Sequence, residues 1–113
     1  MHELDKWETQ FRKGMIEAFV LQSLHHLKNI HGCQLLIFMK SQGIETSEGT
    51  LYPLLNRLEK NQWLTSSWDI PQEGGHPKRL YALSALGEEL LPLISEKIEH
   101  YQIIAQKLEK YNG

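Results

Sequence analysis

SEGTLYPLLNRLEKN, residues 47–61, carries the clearest periodicity in the chain. Leu51, Leu54, Leu55 and Leu58 recur at i, i+3, i+4 and i+7, the one-sided apolar stripe of an amphipathic helix. Glu48, Thr50, Tyr52, Asn56, Arg57 and Lys60 are left on the outward face. Ser47 or Thr50 can cap the start. Pro53 bears on the choice. It falls beyond the first turn of a helix capped by Ser47, but inside that of one capped by Thr50, where its missing N–H costs little. A tight or irregular first turn over 47–50 is expected. The period then changes. WLTSSWDI (63–70) is aromatic and β-branched and reads as a strand, PQEGGHP (71–77) is a loop rich in turn residues, and KRLYAL (78–83) reads as the returning strand. Together these form a β-hairpin with a long tip.

Working outward, residues 32–42 hold five consecutive apolar side chains, Leu35 to Met39, which fit strand or helix by period alone. Gly43 follows a polar Ser-Gln pair and suits the left-handed residue that ends a helix, so this segment is read as helix. Cys33, within the apolar run, reads as a small buried hydrophobe. Residues 4–28 form a long helix with two stripes, Trp7, Phe11, Met15, Phe19 and Ile16, Val20, Leu24, Leu27. From Met15 on its apolar arc is wide enough to be buried on more than one side, one of them toward a partner subunit. Residues 84–111 return to helical period, with Ser84 as N-cap and a kink expected at Pro92. The order helix, helix, helix, hairpin, helix is that of a winged helix-turn-helix, mainly α with a small β-hairpin wing. It divides into a reading unit, 1–83, and a C-terminal dimerisation helix, 84–113.

At 113 residues the chain suffices for one domain that buries roughly 60–70% of its unfolded surface without disulfide or metal. Its lone cysteine fits a reducing compartment. There is no run of 18 apolar residues, so no membrane-spanning segment is expected. The opening MHELDKWETQ is polar and mixed in charge, unlike a secretory signal, and a cytoplasmic location is expected. The net charge of −2 by its sum opposes nucleic-acid binding, but its placement matters more. Over 47–81 the basic Arg57, Lys60, Lys78 and Arg79 balance Glu48, Glu59, Asp69 and Glu73. The acid excess lies in 84–113. The reading half is neutral, so modest affinity per monomer is expected, with a dimer spanning two half-sites.

Helix 47–61 is the candidate recognition helix, whose N-terminal residues would meet base edges in the major groove of double-stranded DNA. Ser47, Gly49 and Thr50 supply small polar side chains and amides that favour phosphate. Asn56 suits adenine, Arg57 guanine or phosphate, and Tyr52 a phosphate. With Pro53 and Lys60 these make the helical part of the DNA-binding set, and His76, Lys78 and Arg79 make the wing part. The dimerisation set is Phe11, Met15 and Phe19 of the first helix and Leu90, Ile94, Ile98, Tyr101, Ile104 and Leu108 of the last. His25, His26 and His31 lack metal-ligand spacing, and no motif calls for a cofactor or a catalytic set. Trp7, Trp63 and Trp68 read as core and hinge packing, or as walls of an aromatic pocket near a dimer seam.

GTLYPLLNRLEKNQWLTSSW (49–68) followed by GGHPKRLYALSALGEELL (74–91) resembles the PadR family of winged-helix transcriptional regulators. Gly49 to Pro53, Arg57 to Glu59, Trp68, Pro77 to Arg79, Tyr81, Leu83, Ser84 and Gly87 match its motifs, and Leu21, Leu24 and Gly32 fit its weaker upstream pattern. The resemblance implies a repressor-like cytoplasmic protein of the family's short subgroup. It would be a homodimer through the first and last helices on a pseudo-palindromic operator, with a small aromatic or phenolic effector at the dimer seam. Gln62 stands where the family usually has glycine, so Asn61 is expected to take the left-handed cap. Ser84 replaces a usual threonine, and Cys33 and Leu80 replace frequent aromatics. The neutral reading half also fits a winged-helix protein–protein interaction module without DNA binding.

Overall fold

A computed structural model describes residues 2–113. The elements run α1 (His2–Leu27), β1 (Ile30–His31), α2 (Gly32–Ser41), α3 (Glu48–Lys60), β2 (Leu64–Asp69), β3 (Lys78–Leu83) and α4 (Ala85–Glu109). The mainly helical fold with a hairpin wing is as the sequence implies. One element is added. β1 pairs antiparallel with β3 (Ile30 opposite Tyr81, His31 opposite Leu80), giving a three-stranded sheet in the order β1-β3-β2. Two residues are too few to show a period, so this strand exists only through its partner.

The core is the meeting point of four helical faces and the sheet. Val20, Leu21 and Leu24 of α1, Leu35 and Met39 of α2, and Leu51, Leu55 and Leu58 of α3 are fully buried, with Leu64 and Tyr81 closing it from the sheet. Thus the stripe read in α3 faces inward as a unit. In α1 only the C-terminal half does so. The N-terminal half and the last turns of α4 extend past the core, which gives the molecule its 67 Å long axis.

Four expectations change on contact with the fold. Cys33 is exposed, because α2 buries Gly32, Leu35, Leu36 and Met39 and turns Cys33 the other way. Trp7 and Trp68 are about three-fifths exposed, while Trp63 does pack against the core. Trp7 lies on the half of α1 that has no core beneath it and stacks on Phe11 instead, with centroids 5.3 Å apart. Lastly, Asn61 stays right-handed (φ −78°) and Gln62 takes the left-handed position (φ 68°). There the amide of Gln62 donates to the Glu59 carbonyl and that of Trp63 to the Leu58 carbonyl, the paired bonds of a Schellman ending. The bonding pattern, rather than residue preference, decides which residue is inverted.

Other local signals read as expected. Gly43 ends α2 with φ 88°. Ser47 is the N-cap residue of α3, and the amides of Thr50 and Leu51 both donate to its carbonyl (3.1 and 2.8 Å), a tight first turn. Pro53 therefore lies beyond that turn, and the Gly49 carbonyl it leaves without a donor is on an exposed residue. Ser84 caps α4, its Oγ accepting from the Gly87 amide at 3.0 Å and donating to the Gln62 carbonyl at 2.6 Å. That pair staples the start of α4 to the turn between α3 and β2.

Candidate nucleic-acid interface

The outward face of α3 presents Gly49, Thr50, Pro53, Asn56, Arg57 and Lys60 to solvent, with Ser47 just before it. Tyr52 is different. It is half-buried against α2, where a Cβ on Gly32 would lie 2.6 Å from the tyrosine ring, so any side chain at 32 would displace that ring. Burial first, then the nearby Cys33, Glu48 and Tyr81, push the Tyr52 hydroxyl above its usual range and keep it a neutral donor. Arg57 leans back and pairs with Glu17 of α1.

The wing stands beside this face. Its tip, 70–77, is exposed throughout, and Gly74 and Gly75 supply the left-handed turn (φ 89° and 111°). His76 sits there. Where the strands run into the tip, Lys78 is the register partner of Asp69, whose carboxylate lies 2.9 Å from Nε2 of His31; Nδ1 of the same ring lies 3.2 Å from Oε1 of Gln34. β1 and β2 are thereby tied across β3. Arg79 points the other way, toward Glu59 at the end of α3, Ser66 and Trp68.

Two of the four cations in 47–81 are thus held by carboxylates, Arg57 by Glu17 and Arg79 by Glu59. Lys60 and Lys78 form no ion pair within 4 Å among the described residues. Sequence reading found the cations and missed these holders. The partners of Arg57 and Arg79 are distant in the chain, although hairpin register alone would have set Arg79 opposite Trp68.

Most of the dimerisation set gathers in one place. Phe11, Met15, Phe19, Leu90, Ile94, Ile98 and Tyr101 line a groove of about 1060 Å³ between α1 and α4, with Trp63 also in its lining and Glu17 and Lys97 as its charges. Ile104 and Leu108 lie beyond it and are exposed. His25 pairs with Glu88 at 3.0 Å, joining α1 to α4. No cluster of three or more His, Cys, Asp or Glu side chains forms among the described residues, and no described helix is long and apolar enough to cross a membrane.

The model of the transcriptional regulator PadR-like family matches residues 20–93, from the buried half of α1 to the capped start of α4. The chain belongs to the PadR-like family. Like the family's other members, it is therefore classed among transcriptional regulators, and DNA-binding regulation follows from that membership. A relative, the transcriptional regulator Rv3488 of Mycobacterium tuberculosis, is 34% identical over 76 residues, spanning 66% of this chain and 69% of the relative. Among solved structures, the PadR family regulator of Eggerthella lenta superposes with a TM-score of 0.88 at 25% identity, covering 98% of this chain and 96% of that one. A Streptococcus transcriptional regulator gives 0.77 at 28% identity, covering 89% and 98%. The matched span contains every candidate DNA-binding residue of this PadR-like chain, whereas Phe11, Met15, Phe19 and the last turns of α4 lie outside it.

Proposed function

We propose that this PadR-like chain is a homodimeric, operator-binding repressor of the cytoplasm, and not an enzyme. Residues 1–83 read DNA and 84–113 hold the dimer. The observation that carries the reading is the polar start of α3 standing exposed beside a wing, with Lys60 and Lys78 free of ion pairs among the described residues. Thr50 and Asn56 meet base edges in the major groove, Arg57 exchanges Glu17 for guanine or phosphate, and Lys78 and His76 lie along the backbone. The apolar α1–α4 groove covers its face with the same groove of a second copy. A small aromatic or phenolic effector fits the seam this makes.

A gel-shift salt titration on DNA upstream of the protein's own gene tests the first part. Sequence-selective binding at low salt is expected, weakened by Arg57→Ala and Lys78→Ala, with Lys78→Ala lowering the salt slope by about 0.9 per subunit. A folded protein that shows no selective shift would sink the operator reading. Mass-resolved size measurement tests the second part, and a concentration-independent monomer refutes it.

A further inference from the structure

Lys78 and Arg79 are neighbours in sequence but not in space. Successive strand residues point to opposite faces of a sheet. Tyr81 is buried in the core, so Arg79, two residues before it, turns toward the body of the protein, while Lys78 shares the outer side with Leu80 and Ala82. On the inner side Arg79 meets three groups from two other elements. Its Nε donates to Ser66 Oγ at 2.9 Å, and its Nη2 lies 3.4 and 3.5 Å from the two carboxylate oxygens of Glu59. Ser66 Oγ in turn donates to Glu59 Oε2 at 2.6 Å, closing a triangle between the end of α3, β2 and β3. The guanidinium carbon lies 5.1 Å from the Trp68 ring centroid, so one of its faces is occupied as well.

We propose that Arg79 is a positioning residue of DNA reading: it sets the angle between the wing and the recognition helix and does not itself take a phosphate. Turning it to DNA would strip the part-buried Glu59 carboxylate of its cation and give up the contact with the Trp68 ring. Charge-assisted bonds to a part-buried partner resist that exchange better than an exposed ion pair does. The exposed pair Arg57–Glu17 is the contrasting case, with side chains 59% and 35% exposed against 39% and 28% for Arg79–Glu59. Lys78, at the tip end of β3, is left as the wing cation that meets the backbone.

The inference rests on operator binding, and the wild-type protein separates the two. If the wild type binds no DNA selectively, both fall; if it binds, the variants decide this one alone. The assay is a salt titration of operator binding by anisotropy, with melting curves to show that each variant is folded. Arg79→Gln and Glu59→Gln are each expected to weaken binding about five- to tenfold at an unchanged salt slope, and the double variant no more than either single, since one contact is lost in all three. Lys78→Gln should lower the slope by about 0.9 per subunit. A direct phosphate contact predicts the reverse pattern. Arg79→Gln would then lower the slope, and Glu59→Gln would tighten binding by removing a competing acid. Arg79→Lys covers the case in which the neutral variants unfold. It keeps the charge and loses the fork, so it should bind as weakly as a positioning defect requires. Wild-type affinity in Arg79→Lys would overturn the proposal.

Discussion

Replacing Gly87 by alanine should unseat the start of α4. A Cβ at this position would lie 2.2 Å from the Trp63 carbonyl oxygen and 3.3 Å from Leu83 Cδ2. Ordinary contact is about 3.5 Å, so helix and turn must separate by about 1.3 Å. The obstructing oxygen is backbone and already accepts from the Ser84 amide at 3.0 Å, while Ser84 Oγ bridges Gln62 and Gly87. A shift of that size breaks bonds of this length. Two lost hydrogen bonds at about 0.5–1.5 kcal/mol each, with about 1–3 kcal/mol of overpacking, oppose a gain of about 0.5–1 kcal/mol from replacing a helical glycine. A net loss of about 1–5 kcal/mol is expected, or a melting temperature lower by about 5–20 °C. Urea denaturation followed by circular dichroism measures it, at one protein concentration because association adds to stability. Ser84→Ala is the comparison. It removes the cap without the clash and should cost about 0.5–2 kcal/mol. If Gly87→Ala matches the wild type to within about 0.5 kcal/mol, or costs less than Ser84→Ala, the stapling of α4 to the α3–β2 turn is not what holds it.

Gln62→Gly should stabilise the fold by about 0.5–1 kcal/mol, because the left-handed φ of 68° strains a residue with a Cβ; a loss in urea denaturation would contradict the Schellman reading. Burial pushes the hydroxyls of Tyr52 and Tyr81 up, with Arg79 pulling Tyr81 back in part. The unfolded chain then releases these protons first, so their contribution is complete below about pH 10 and is lost as pH rises through the folded values. The variant with both tyrosines changed to phenylalanine should show a shallower decline in stability above about pH 10, and an identical decline would refute the assignment. Glu17→Gln should tighten operator binding about two- to fivefold by releasing Arg57, a gain that Arg57→Ala abolishes; weaker binding would show that Glu17 orients Arg57 instead of competing for it.

The chain's own sequence determined what repeats or caps locally. The α3 stripe at 51, 54, 55 and 58, the hairpin at 64–83, the Gly43 ending and the Ser84 cap each depend on neighbours a few residues away, and each is legible for that reason. So was the exposed polar face of α3, since a helix with one apolar side must expose the other. Tertiary structure alone decided the rest. β1 has no period of its own and exists because β3 offers an edge. Cys33 and Trp7 are apolar by type, but which side of α2 and which half of α1 meets the core depends on where the helices dock. The same holds at the site. Arg57 and Lys78 look alike as cations in sequence, yet one is held by a carboxylate 40 residues away and the other by none among the described residues. A charge is a property of a residue, whereas its availability depends on which distant carboxylates the fold brings within reach.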